Sequence, residues 1–141
     1  MVSVARGDVM TELIMTCDVC HEPISPGAGF LGVRHADIVR YQSDEVAWRE
    51  MYPGSLHSGA DLMDMPVEVT WQAYHFGCDP KPDEDGYQID TDQIATWRQL
   101  TSWTAHLMGK TWLSCTDWDE LLRETADGTG QRIAVRTLRV A

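Results

Sequence analysis

Cys17-Asp18-Val19-Cys20 and His75-Phe76-Gly77-Cys78 decide the reading of this chain. Each stretch places two candidate metal ligands with two residues between them. A C-x-x-C pair turns back so that both sulfurs face one point. An H-x-x-C pair does the same with a nitrogen and a sulfur. Three thiolates and one imidazole form a donor set that zinc takes in a tetrahedron. When protein fills all four positions no place is left for water, so the expected role is structural rather than catalytic. Cys17, Cys20, His75 and Cys78 are the expected ligands, and zinc is the expected cofactor.

Two other chemistries share the first pair. Cys17-Asp18-Val19-Cys20-His21 fits the C-x-x-C-H pattern of covalent haem attachment, with seven methionines available as axial ligands. That chemistry belongs to exported proteins. Residues 1–17 (MVSVARGDVMTELIMTC) carry Arg6, Asp8 and Glu12, with no unbroken apolar core before a small-residue cleavage site. Haem also leaves His75 and Cys78 without a role. A redox C-x-x-C should follow a strand and open a long helix, whereas Pro23 and Pro26 follow Cys20 within six residues. With no export signal a cytoplasmic location is expected. Thiols stay reduced there, which favours metal ligation over disulfides for the four cysteines.

Working outward, residues 11–17 should be a short strand that delivers the first pair. Residues 21–29 hold two prolines and two glycines and read as a loop. Residues 30–41 (FLGVRHADIVRY) read as a strand or hairpin, and a short helix is expected over 44–51, stopped by Pro53-Gly54. Residues 53–65 show no period and read as a loop. Val67, Val69, Trp71 and Ala73 alternate with Glu68, Thr70 and Gln72, which predicts a half-buried strand running into His75.

The second half reads as more helical. Residues 79–86 form a polar loop, and Tyr87-Gln88-Ile89 a short strand. Asp90 with Gln93 has capping-box spacing, ahead of Ile94, Trp97, Leu100, Thr104 and Leu107 on one stripe, with Gly109 as the stop. Asp117 with Glu120 repeats that spacing for a second helix ending before Gly128. Residues 131–140 alternate as a terminal strand with Arg132 and Arg136 on a basic outer face. The expected fold is α+β in a single domain, 1–141. A zinc-pinned, β-rich half (11–80) packs on a two-helix segment (87–141) closed by the terminal strand.

The arrangement of Cys17, Cys20, Trp71, His75 and Cys78 resembles one zinc half of a LIM domain, and more broadly a treble-clef zinc finger. Residues 21–74 form a longer insert than a LIM finger has, no second zinc half follows, and Trp71 stands four residues before His75. The resemblance covers about residues 12–80 and implies a scaffold used for protein contacts.

Composition narrows the function classes. The 141 residues are 43% hydrophobic and 23% charged, a globular balance, and the net charge is -11. Such a surface repels phosphate, which disfavours nucleic acid and suits a protein that meets other proteins. No apolar run is long enough to span a bilayer. Phosphate-binding, dinucleotide, nucleophile-elbow and zinc-protease motifs are missing, and His35, His57 and His106 stand isolated, so no catalytic residue is assigned. Cys115 reads as a core residue. Most of the six tryptophans should be core, and any left exposed would mark an interface. Asp79, Asp83, Glu84, Asp85, Asp90 and Asp92 read as a solvated loop and cap, or as an acidic patch for a basic partner; Asp83-Glu84-Asp85-Gly86 does not fit a calcium loop.

The expected function is a small acidic zinc-binding interaction module, a regulator or adaptor with a protein partner. The balance also suits a phage or bacterial accessory factor that binds a host protein. The alternatives are a nucleic-acid-associated zinc-finger regulator, an acidic phosphate mimic that inhibits a nucleic-acid-binding protein, and a metalloenzyme.

Overall fold

A computed structural model describes residues 9–139. Residues 1–8 of the stretch read for an export signal lie outside the described residues, as does Val140, the last residue of the expected terminal strand.

The architecture is α+β, and the described residues form six strands in two antiparallel three-stranded sheets and four helices. The first sheet has β1 (Val9–Thr16) at its centre, flanked by β2 (Pro23–Ile24) and β6 (Ile133–Arg139). The second has β3 (Gly29–Arg34) at its centre, flanked by β4 (Gln72–His75) and β5 (Gly86–Asp90). The terminal strand closes on the first one: Leu13 faces Val135 and Met15 faces Ile133. Both ends of the described chain therefore meet in one sheet.

β3 is buried along nearly its whole length, as a central strand covered on both faces must be. It runs straight into α1 (His35–Met51), which buries Ile38, Tyr41 and Trp48. The strand or hairpin expected over 30–41 is a strand that ends at Arg34, and the short helix expected over 44–51 is corrected to one long helix from His35. A second, short helix, α2 (Gly59–Met63), interrupts the expected loop over 53–65. It opens on a capping box in which Ser58 Oγ accepts from the Asp61 N–H and the Asp61 carboxylate accepts from the Ser58 N–H.

The strand expected over 67–74 divides in two. Gln72–His75 pair with β3, while Val69 leaves that sheet and bridges in parallel to Thr116. Val69, Trp71 and Ala73 are buried as the alternation requires, and Val67 is exposed.

α3 (Trp97–Leu107) begins later than expected. Asp90 is committed to β5, where it faces Phe30, and the cap is Thr96, whose hydroxyl accepts from the Gln99 N–H. The helix ends at Met108, and Gly109 is not in the left-handed region. α4 (Trp118–Asp127) does end on a left-handed glycine, Gly128 at φ 70°. One hydrophobic cluster gathers Leu13, Met15, Phe30, Ile89, Leu107 and Trp118 from both sheets and both later helices.

Trp71 lies at the centre of that cluster and is fully buried. Its ring meets Trp118 edge-on at 4.9 Å between centroids and Trp112 at 6.1 Å. Its indole N–H donates to Thr116 Oγ1 at 2.9 Å and its backbone N–H to Asp117 Oδ1 at 2.9 Å. Its carbonyl accepts from Arg132 at 3.1 Å, and the same guanidinium pairs with Asp117 and Glu124. Arg132 thus departs from the expected basic outer face and points into the joint. Arg136 does lie on the outside, paired with Glu12 of β1.

Candidate metal centre

The four expected ligands come together. Their donor atoms all lie within 4.8 Å of one another, and they could hold a metal ion. No other such group occurs among the described residues. Residues 55 positions apart meet because two backbone turns are pinned side by side.

The first turn is the tip of the β1–β2 hairpin. Met15 faces Ile24 and Thr16 faces Pro23. Beyond them the Cys17 N–H donates to the Glu22 carbonyl at 3.0 Å, and the His21 N–H to the Cys17 carbonyl at 2.9 Å. The chain reverses at His21, whose φ of 61° lies in the left-handed region. Both cysteine side chains are left at one end of the hairpin. The second turn follows β4: His75 is its last residue, and Phe76–Cys78 form a single 3-10 turn. A strand passing into one helical turn carries the imidazole and the Cys78 sulfur to the same side.

Asp18 locks the two turns together. Its N–H donates to the Ala73 carbonyl at 2.8 Å, and its carboxylate accepts from the Ala73 N–H at 2.8 Å. This two-way bond fixes β4 two residues before His75. A close approach on the other edge completes the frame. Gly29 faces His75 across the β3–β4 pair, and a Cβ there would stand 2.1 Å from the Tyr74 carbonyl oxygen. Only glycine lets β3 and β4 come this near. The sequence reading missed both residues. The signal for Asp18 was a carboxylate inside the ligand turn; the signal for Gly29 was a lone glycine at a strand start.

The donor geometry suits a cation. His75 Nε2–H donates to the Pro23 carbonyl at 3.1 Å. That bond leaves Nδ1 with its lone pair, 3.3 Å from Cys20 Sγ and 4.0 Å from Cys78 Sγ. A ligating histidine whose other nitrogen is held by a carbonyl has its tautomer and ring plane set in advance. In a zinc tetrahedron with bonds of about 2.0–2.3 Å, neighbouring donors stand about 3.5–3.8 Å apart, and the observed spacing is close to that. Cys17 is buried at the back of the site, Cys78 is half-buried and Cys20 is exposed.

The sulfurs are electrostatically unequal. Burial alone would raise the Cys17 thiol, but the N–H groups of Cys20, His75 and Val19 that face its sulfur outweigh it and lower the pKa to about 6. Desolvation, reinforced by the Cys17 and Cys20 sulfurs, pushes Cys78 up to about 11. The thiolate is favoured at Cys17 and resisted at Cys78. A divalent cation removes that conflict, since coordination deprotonates thiols outright.

The remaining candidates fall elsewhere. His21 lies outside the four-residue group. Cys115 is buried before α4, as expected, and burial raises its thiol pKa. His57 hydrogen-bonds the Tyr52 carbonyl and lies tilted against Trp48. His106 lies edge-on to Trp103. Asp79 is bound by Arg34 rather than solvated. Trp48, Trp71 and Trp118 are buried, Trp103 and Trp112 half-buried, and Trp97 the most exposed. No helix among the described residues is long and apolar enough to cross a membrane.

Comparison with protein-family models, with curated proteins and with solved structures finds no match to this chain.

Proposed function

We propose that the chain is a small acidic interaction module, a regulator or adaptor, whose fold is stapled by one structural zinc ion held by Cys17, Cys20, His75 and Cys78. The observation that carries the metal assignment is the His75 hydrogen bond to Pro23, which turns Nδ1 toward the three sulfurs. The donor set, one nitrogen and three sulfurs, is the kind that zinc prefers. Four protein donors leave no open position, so the ion would brace the fold and supply no reaction.

The likeness to LIM and treble-clef modules draws support from the same parts. One pair sits at a hairpin tip, and the other lies where a strand enters a helical turn. Here that turn is single and no longer helix follows it.

A protein partner is favoured by the net charge of -11 and by apolar side chains exposed within residues 51–67. A nucleic-acid role would need Arg123, Arg132, Arg136 and Arg139 on one exposed basic face, yet Arg132 is spent on Asp117 and Glu124 and Arg136 on Glu12, and exposed Arg123 stands among Asp119, Glu120, Glu124 and Asp127.

Metal analysis of the purified chain tests the assignment. One zinc per chain is expected, lost in Cys17→Ser and in Cys78→Ser. A cobalt-substituted sample should show the tetrahedral spectrum of four protein donors, with no signal from exchangeable water. Full occupancy in both serine variants would defeat the assignment.

A further inference from the structure

Between Met51 and Val67 no residue is buried, yet a set of polar and aromatic groups holds the segment in shape. Trp48 Nε1–H donates to the Asp61 carbonyl at 2.8 Å, and the Tyr52 hydroxyl to Asp64. His57 hydrogen-bonds the Tyr52 carbonyl at 2.8 Å and lies tilted against Trp48 with 4.6 Å between ring centroids. With the α2 capping box, these bonds build a fixed elbow between the end of α1 and α2.

The apolar side chains face out. Leu56 is 93% exposed and Met63 86% exposed, and Met51, Leu62, Met65 and Val67 are exposed as well. Single exposed hydrophobics need no explanation, but six within seventeen positions on a braced segment do. Three are methionines, whose flexible thioethers adapt to different apolar partners.

Charge selects the occupant. Residues 44–68 carry Asp44, Glu45, Glu50, Asp61, Asp64 and Glu68 against a single arginine, Arg49, which is itself paired with Glu45. A cleft of about 320 Å³ opens at the elbow, lined by Asp44, Ala47, Trp48, Met51, Tyr52 and Asp64. Aromatic rings and two carboxylates lining one cleft suit a cationic head on an apolar stem. A second copy of this chain would bring like charge to like charge, and an anionic lipid surface would be repelled in the same way.

Building on the interaction reading, we propose that the α1–α2 elbow docks a basic, apolar-faced helical segment of a partner protein. A lysine or arginine of that segment enters the Asp44–Asp64 cleft, and its apolar face covers Met51 and Met63. This is helix-on-surface recognition with complementary charge at the rim.

The test uses the full metal-loaded chain and a fluorescent amphipathic peptide of leucine and lysine as probe. Saturable binding that weakens with salt is expected. Met51→Ser with Met63→Ser should weaken it roughly tenfold with no change in charge. Val39→Ser with Met108→Ser, exposed elsewhere, should leave it unchanged. Asp44→Asn with Asp64→Asn should weaken it and flatten its salt dependence. Equal binding by the methionine variant, or equal binding of a leucine–glutamate peptide, overturns the proposal. Self-association abolished by the methionine variant in sedimentation also overturns it, by making a second copy the occupant. A host protein retained equally by wild type and the methionine variant removes the elbow while leaving the interaction reading standing. Elbow-dependent peptide binding with no host protein retained supports the elbow and counts against the broader reading.

Discussion

Ten consecutive residues, Val69 to Cys78, take part in two joints of opposite character. At one end Trp71 is fastened to residues 112–118 and Arg132 by rings, hydrogen bonds and an ion pair. Every polar group named there has a partner within the chain. At the other end His75 and Cys78 meet Cys17 and Cys20, and three sulfurs crowd one imidazole with no protein cation among them. The first joint is complete in itself, and the second gathers donors that could hold a metal ion. On the proposed assignment, the difference separates what the polypeptide stabilises alone from what it would stabilise only with a metal.

Removing the ion should divide the two joints most sharply. Structural zinc in small sites binds with about 10–16 kcal/mol, so metal-linked stability is the largest single contribution expected. Chelation, or Cys78→Ser, should loosen the hairpin tip and the end of β4 in hydrogen exchange. The near-UV circular dichroism of the tryptophan cluster should persist. Its loss together with the metal would mean that the two joints are one cooperative unit.

Trp71→Ala acts on the other side of the comparison. A fully buried tryptophan exchanged for alanine costs about 3–5 kcal/mol. The loss in urea midpoint should be equal with and without metal. A loss seen only in the metal-free protein would put Trp71 under the control of the clasp.

Asp117→Ala comes next. It strips Arg132 of one partner and leaves the Trp71 N–H unpaired, a cost of about 2–4 kcal/mol, while Asp117→Asn should recover part of it. Zinc content should not change in either variant.

Asp18→Ala links the two ends. Loss of the carboxylate that accepts from the Ala73 N–H should cost about 1–2 kcal/mol and weaken metal affinity about tenfold or more, read by competition with a chelator. His21→Gly is the smallest change. It relieves a left-handed backbone at the hairpin tip and should raise stability by about 1 kcal/mol with metal content intact.

What could be read from residues alone follows the same division. Ligand spacing is local chemistry, so Cys17, Cys20, His75 and Cys78 stood out, and the terminal strand showed through its alternation. Long-range contacts redirected other local signals. Asp90 and Gln93 had capping spacing, but Asp90 is taken into the β3–β5 ladder and Thr96 caps instead. Asp117 has a cap's position, yet its carboxylate is drawn off to the Trp71 N–H and to Arg132. The start of α1 was hidden because Val39 and Val46 occupy its exposed face and blur the stripe of Ile38, Tyr41 and Trp48. That exposed apolar character belongs to surface rather than core, so a periodicity argument cannot sort it.

The pairing of β1 with β6 sets a timetable for synthesis. Thr11 lies beside Thr137, so one edge of β1 has no native neighbour until nearly the whole described chain has been made. At ribosomal rates of about 5–20 residues per second, that delay is roughly 6–25 s. All four clasp residues precede Asp79, so the proposed ion could be captured by the nascent chain while β6 is still unmade. The clasp lies at the hairpin tip and not along the β6 edge of β1, so that edge stays open to other nascent chains until β6 is made, and the pace of translation sets how long it is exposed.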